Sequence, residues 1–378
     1  MDLHKLAKIL SDNNQPKFRL GQIKKAIFQD GVSSFLDITT LSKELRDFLD
    51  KEIGILPFTA EKILVSKMGD SVKASLRLRD GNLVETVLLS AGKDAWSVCI
   101  STQVGCPLNC GFCATGQGGF KRNLTAEEIT DQVLFWKQYL RKSQISNPKS
   151  QINSKSQKSN SKIGNWKLPA RKCQALAGGE IGNYHVSNVV FMGMGEPFLN
   201  WANVKKSLED LINPEMFGFG SRSISISTCG IPKGIENLAK DFPQINLAIS
   251  LHFADDKKRS LYMPINKKYN LEDLKNTLEY YFRGSKRKVF LEYIMLDKIN
   301  NSEKDAWGLV GFIKSIQQSY LLHVNLIQYN STRGDFKPSS KNQMVKFKKY
   351  LEYNHVSVTI RKSLGQEIQG ACGQLAEK

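Results

Sequence analysis

The sequence has no run of 18 or more consecutive apolar residues, which argues against a transmembrane helix. Its first residues, Met1-Asp2-Leu3-His4-Lys5, lack the apolar stretch of a signal peptide. A cytoplasmic protein without a membrane partner is the expectation. Acidic residues are scarce beside basic ones: 36 Asp and Glu against 54 Lys and Arg, a formal net charge of +18. That imbalance favours a polyanionic partner, because cations placed near phosphates release condensed counterions. A solvated basic surface is the plainer alternative. One stretch has no acid at all. Between Arg141 and Lys172 nine Lys or Arg occur without a single Asp or Glu, so half of the excess is local.

That stretch belongs to a segment, about 141–183, that is also poor in large apolar residues. It carries a crude repeat in Ser143-Gln144-Ile145, Ser150-Gln151-Ile152 and Ser156-Gln157-Lys158. A segment of this composition buries too little to offset the entropy of ordering it, and it reads as a surface insertion. An RNA-binding arm is a second reading. Cys173 within it is read as incidental.

What is present elsewhere divides the chain. Residues 1–65 read as a small helical domain, with Leu3, Leu6, Ile9 and Leu10 at helical spacing, then Leu20, Ile23, Ala26 and Ile27, then an apolar-periodic stretch at 41–53. Lys17, Arg19, Lys24 and Lys25 decorate its second stretch, which suits either a grip on RNA or a plain packing domain. Residues 66–91 read as a β-hairpin: Val72, Ala74, Leu76 and Leu78 alternate with polar residues, Asp80-Gly81 makes the turn, and 83–89 returns. Glu85 shares a face with Leu83, Val87 and Leu89. Burial among apolar neighbours raises a carboxyl pKa towards the acid/base range; a Glu on a solvated face is the bland alternative.

Residues 92–345 alternate strands and helices. Strand-like runs fall at 96–101, 188–192, 222–228, 245–251, 288–295 and 322–328, with helical patterns at 125–140, 201–212, 232–240, 271–282 and 303–319. Six such repeats imply an α/β protein built on a parallel sheet, a partial (β/α)6 barrel with reactive groups at the C-terminal strand ends. Residues 346–378 hold a final strand at 356–360 and a tail.

The seven cysteines, Cys99, Cys106, Cys110, Cys113, Cys173, Cys229 and Cys372, lack the even count of a disulfide framework. Three of them crowd into Cys106-Pro107-Leu108-Asn109-Cys110-Gly111-Phe112-Cys113. Thiolates are soft ligands that suit iron–sulfur clusters and zinc. A four-iron cluster held by three thiolates leaves one iron without a protein ligand. Zinc with a fourth ligand such as His185 or His252, a Cys110/Cys113 dithiol, and buried structural thiols are the alternatives. Thr125-Ala126-Glu127-Glu128 reads as the cap of the next helix.

Together with Cys99-Ile100-Ser101-Thr102-Gln103-Val104-Gly105, Gly193-Met194-Gly195-Glu196-Pro197, Ser227-Thr228-Cys229-Gly230, Ser250-Leu251-His252, His323-Val324-Asn325-Leu326-Ile327 and Gly370-Ala371-Cys372-Gly373-Gln374-Leu375, this motif resembles the radical S-adenosylmethionine RNA adenine methyltransferases of the RlmN/Cfr type. The resemblance covers the chain apart from the insertion. It implies a 4Fe–4S cluster on Cys106, Cys110 and Cys113, and two S-adenosylmethionine molecules per turnover, bound by Gly195, Glu196, Ser227, Ser250, Leu251, His252 and Asn330. It also implies that Cys372 becomes S-methylated and transfers the methyl carbon to adenine as a radical. Cys99 then resolves the adduct through a transient disulfide with Cys372, and Glu85 accepts a proton. The spacing from Glu85 to Cys99 departs from the family pattern by one residue. The implied partners are 23S rRNA, tRNA and an electron donor such as flavodoxin, with a monomeric enzyme. Methylation of adenine carbon 2 is the favoured activity, and carbon 8 the alternative. Outside the family, a radical enzyme acting on protein or small molecules and a zinc-stabilised RNA-binding module without catalysis remain.

Overall fold

The computed structural model describes residues 1–92, 94–145, 184–332 and 336–376. The reading of the insertion, with Cys173, therefore lies almost wholly outside the described residues. Among these residues the strands are β1 Phe58–Val65, β2 Ser71–Leu78, β3 Leu83–Ser90, β4 Ala95–Cys99, β5 Gln103–Gly105 and β6 Phe120–Asn123. They continue with β7 His185–Phe191, β8 Ile224–Thr228, β9 Asn246–Ser250, β10 Val289–Met295, β11 Leu322–Gln328 and β12 Val358–Arg361. No described helix is long and apolar enough to cross a membrane. The chain divides into two compact units, and these do not follow the linear division expected from the sequence.

The first unit comprises Met1–Ile100, Thr125–Val189 and Ala202–Gly220. It opens with helices Leu3–Asp12, Phe18–Lys24 and Lys43–Glu52. Asp2 caps the first by accepting from Lys5 N at 2.8 Å, and Ser42 caps the third by accepting from Leu45 N at 3.3 Å. The expected apolar stripes are buried at Leu6, Leu10, Ile23, Ile27, Leu45 and Leu49. The helical reading of residues 1–65 needs correction, because 58–65 form β1. This strand pairs antiparallel with β2, and its register shifts between Ala60 and Lys62. That irregularity breaks the period-two pattern by which a strand is recognised. The expected hairpin is thus the middle of an antiparallel meander, β1-β2-β3-β4.

One face of this meander carries Val72, Ala74, Leu76, Val84, Thr86, Leu88 and Val98, all buried. The long helix Ala126–Ile145 contributes Trp136, fully buried, whose Nε1 donates to Thr86 Oγ1 at 3.0 Å. Truncating a core tryptophan of this kind to alanine costs about 3–5 kcal/mol. The expected cap forms: Thr125 Oγ1 accepts from Glu128 N at 3.2 Å, and Glu128 Oε2 accepts from Thr125 N at 3.0 Å.

The second unit comprises Ser101–Leu124, Val190–Trp201 and Ser221–Lys378. Its sheet runs β8-β9-β10-β11-β12, every neighbouring pair parallel. Helices Pro232–Asp241, Asp256–Tyr262, Leu271–Gly284, Glu303–Lys314 and Lys341–Tyr353 connect the strands. Two start in reciprocal capping boxes, Asn270 with Asp273 and Ser302 with Asp305. The fold is α/β with a large parallel sheet, as expected. The expected helix at 303–319 stops at Lys314, and helices Asp256–Tyr262 and Lys341–Tyr353 had not been anticipated.

Candidate active site

The three-cysteine loop is gripped at its base by the β5–β6 pair. Cys106 N donates to Gly119 O at 2.8 Å. Gly105 has φ +76, and a Cβ there would lie 1.9 Å from Gly119 O, so only glycine fits. Within the loop Cys113 N donates to Cys110 O at 3.1 Å, and Gly111 N donates to Tyr262 O at 2.9 Å. Cys106, Cys110 and Cys113 share one apolar wall with Leu108, Phe112, Phe253, Met263 and Tyr329.

Burial pushes the thiols of Cys106 and Cys113 up from their ordinary pKa. Cys229 packs on the same wall, and its thiol is raised first by hydrogen bonding with Cys110 and then by burial. Among the described residues no three His, Cys, Asp or Glu side chains are already arranged around a metal position. The donor set nevertheless fits an iron–sulfur group in kind: soft thiols on one tight loop, walled from water by aromatic and apolar side chains. Sequence reasoning assigned no role to Cys229. Its signal was its place just beyond β8, at the strand end where reactive groups gather.

The residues expected to bind cofactor lie at the C-terminal strand ends of this unit. Gly195 has φ +99, and a Cβ on it would come within 2.6 Å of Gln103 Cβ. Glu196 is buried; its Oε1 accepts from Phe198 N at 3.1 Å and its Oε2 from Cys229 N at 2.8 Å. Burial raises its carboxyl pKa, against the opposing effect of these hydrogen bonds. Ser227 and Ser250 meet across β8 and β9, Oγ to Oγ at 3.2 Å. Leu251 and His252 both donate their backbone N–H to Glu292 O at 3.1 Å.

His252 adopts φ +57, a left-handed conformation costly for a side chain of this size. Its Nδ1 accepts from Ile294 N at 3.2 Å, and its ring meets the Phe112 ring edge-on at 5.0 Å. Burial, with Arg259 adding to it, pulls its pKa down to about 3, so the ring is neutral. Arg259 is itself buried, with Nη1 on Asn266 Oδ1 at 2.7 Å and Nη2 on Cys229 O at 2.7 Å.

The tail brings Cys372 to the three-cysteine loop. Ala114 N donates to Gly373 O at 2.9 Å, and Thr115 Oγ1 donates to Leu375 O at 2.5 Å. Asn330, expected as a cofactor contact, holds the tail: its Nδ2 donates to Cys372 O at 3.1 Å while its Oδ1 accepts from Gln366 Nε2 at 2.5 Å. Gln374 Nε2 adds a bond to Ser331 O at 3.1 Å. Cys372 itself is exposed, and no described cysteine is in a disulfide.

Glu85 and Cys99 belong to the first unit. Val87 faces Cys99 across β3 and β4, so Glu85, two residues away, shares that face diagonally. Thr86 Oγ1 donates to Cys99 O at 2.8 Å while receiving the Trp136 bond, which fixes the backbone carrying the thiol. Glu85 is buried as expected, but its surroundings are not the apolar set that the alternation suggested. Lys73 Nζ donates to its Oε1 at 2.8 Å, with Ser75 Oγ at 3.3 Å. Sequence reasoning missed Lys73. The available signal was opposite charge on paired strands, where Ser75 faces Glu85 and Lys73 faces Val87.

The family profile described as "Ribosomal RNA large subunit methyltransferase N-terminal domain" matches residues 1–55. The chain is 37% identical over 379 residues to "Probable dual-specificity RNA methyltransferase RlmN" of Syntrophomonas wolfei, covering 99% of this chain and 95% of the relative. It is 36% identical over 374 residues to "Ribosomal RNA large subunit methyltransferase Cfr" of Clostridium botulinum, covering 98% and 96%. Among solved structures, a radical SAM methyltransferase from Sphaerobacter thermophilus superposes with a TM-score of 0.82 at 31% identity, covering 99% of this chain and 97% of that one. With such similarity over nearly all its length, and with a three-thiol loop, glycine-dependent turns and a cysteine-bearing tail gathered in one parallel-sheet unit, the chain belongs to the RlmN/Cfr family of radical S-adenosylmethionine methyltransferases.

Proposed function

We propose that this chain methylates carbon 2 of an adenosine in 23S rRNA, and of an adenosine in tRNA, with Cys372 as the methyl carrier. The observation that carries this reading is the bonding of the Cys372 tail to the three-cysteine loop through Ala114 and Thr115. That arrangement holds a sulfur nucleophile beside the loop where radical chemistry starts. Membership of the family brings a 4Fe–4S cluster and S-adenosylmethionine. When bound, they supply a methyl group and a hydrogen-abstracting radical, using two S-adenosylmethionine molecules per turnover and an electron from a donor such as flavodoxin.

The chain's own residues then have separable tasks. Cys106, Cys110 and Cys113 would hold the cluster. Gly195, Glu196, Ser227, Ser250, Leu251 and His252 line the cofactor's place, while Asn330 fixes the tail. The Cys372 sulfur accepts the methyl by displacement and presents its carbon to adenine. Carbon 2 of adenine is electron-poor and does not attack a sulfonium methyl directly, hence the carrier. Glu85 takes the proton lost from the ring carbon. The Cys99 thiol loses its proton and attacks the Cys372 sulfur; the bond from that sulfur to the transferred carbon breaks, the carbon keeps the electron pair and takes up a proton to become the methyl group, and a Cys99–Cys372 disulfide is left. The enzyme acts as a cytoplasmic monomer on a base drawn out of its stack.

Relatives named Cfr, at 36% and 35% identity, stand within two percentage points of the one named RlmN, at 37%, which favours carbon 8 as the second reading. Mass spectrometry of nucleosides from rRNA and tRNA incubated with the reconstituted enzyme separates the two. A product co-migrating with 2-methyladenosine is expected; 8-methyladenosine overturns the choice. Anaerobic reconstitution that yields colourless, zinc-containing, iron-free protein would overturn the radical reading altogether.

A further inference from the structure

A basic pocket lies at the N-terminal ends of β8, β9 and β10, within the second unit. It has a volume of about 500 Å³ and is lined by Arg222, Gln244, Asn246, Lys286, Arg287, Lys288 and Phe290. The candidate active-site groups Ser227, Ser250 and His252 sit at the other ends of these parallel strands. This pocket is therefore separate from the proposed chemistry.

Four cations converge on the pocket and no carboxylate lines it. None of the four makes an ion pair among the described residues. Like charges around one concavity repel each other, and an anion relieves that repulsion. The lining is also organised. Asn246 Nδ2 donates to Arg222 O at 2.7 Å and Ile224 O at 3.1 Å, while its Oδ1 accepts from Arg287 Nη2. Arg222 Nε reaches Gln244 Oε1 at 3.4 Å. Arg287 Nε is buried without a hydrogen-bond partner. Half-buried Phe290 adds an aromatic ring, its edge contact with His323 at 5.7 Å.

Cations, amides and an aromatic ring together match a phosphate with an adjacent unstacked base. Arg222, Lys286 and Lys288 are exposed on the rim, where they can follow an extended backbone. We propose that this pocket is a second RNA contact, taking a backbone phosphate and a neighbouring base of the RNA modified at the opposite strand ends. The inference rests on the reading of an RNA substrate. The seven residues of β10 span about 20 Å, a separation that a folded RNA bridges.

The test uses the full reconstituted chain and a transcript of the large-subunit rRNA segment, with Kd measured against KCl concentration. Lys286→Ala/Lys288→Ala should make the log–log salt slope shallower by about 1.4–1.8, since each phosphate contact contributes about 0.7–0.9. Kd should rise at least tenfold at low salt. Arg222→Ala, in the turn just before β8, should lower the slope by about half as much. Phe290→Leu should weaken binding by roughly fivefold or more at every salt concentration without changing the slope. Slopes and Kd values unchanged in all three variants, with wild-type chain binding RNA, overturn the pocket assignment alone. A wild-type chain that binds no RNA overturns the substrate reading with it. Inorganic phosphate and adenosine monophosphate form the remaining arms. Tight binding of either, abolished by the lysine variant while RNA affinity stays the same, assigns the pocket to a free small anion and overturns the proposal.

Discussion

Replacing Lys73 by Met removes the cation bonded to buried Glu85. Both side chains are nearly closed to water, at 6% and 7% relative exposure, so little solvent screening softens the loss. Breaking a buried ion pair by removing one partner costs about 3–5 kcal/mol. Ser75 Oγ still reaches Glu85 at 3.3 Å, which places the expectation near the lower end, about 3 kcal/mol. For a folding unit of this size that corresponds to a fall in Tm of roughly 6–12 °C. Urea and thermal unfolding of protein purified without iron reconstitution measure it independently of cluster loading. The double variant Lys73→Met/Glu85→Gln removes both charges and should recover most of the loss. A double variant as unstable as the single one, or a single variant within 1 kcal/mol of wild type, would refute the claim that the buried charge pair governs this site.

Cys372→Ala should abolish methyl transfer to RNA while deoxyadenosine release from S-adenosylmethionine continues, both read by chromatography of one reaction; retained methylation removes Cys372 from the mechanism. Gly195→Ala combines a positive φ with a Cβ 2.9 Å from Gln103 N, and should cost about 2–4 kcal/mol in urea unfolding. His252 titrates at about 3 in the fold, below the ordinary imidazole value near 6.5. Between those values the unfolded chain binds the extra proton, so stability falls as pH drops, by about 1.4 kcal/mol per unit from this group. His252→Asn keeps an acceptor and tolerates the positive φ, and should lessen the acid sensitivity between pH 6.5 and 4. Parallel stability curves for the two proteins would show that His252 does not contribute.

The parallel core was legible because each strand sits between helices of regular period, and the observed β8 to β11 fall within two residues of the runs at 222–228, 245–251, 288–295 and 322–328. β1 was not legible, since its register shift erased alternation. Helix Asp256–Tyr262 is too short to show a period. At the candidate site, clustering of Cys106, Cys110 and Cys113 was visible as spacing alone. The contribution of Cys229 and Arg259 was not, because both act through contacts distant in sequence: Arg259 with the carbonyl of Cys229, and Cys229 with the thiol of Cys110. Glu85 was noticed for its apolar neighbours, but its decisive neighbour was a lysine on the adjoining strand.

The bond from Thr115 to the carbonyl of Leu375 closes a loop of 260 residues. At about 5–20 residues per second of synthesis, the three-cysteine loop emerges some 13–52 s before the segment that bonds to it. Assembly of the site thus waits on translation, and a ribosome stalled late in this message would leave behind a chain without Cys372.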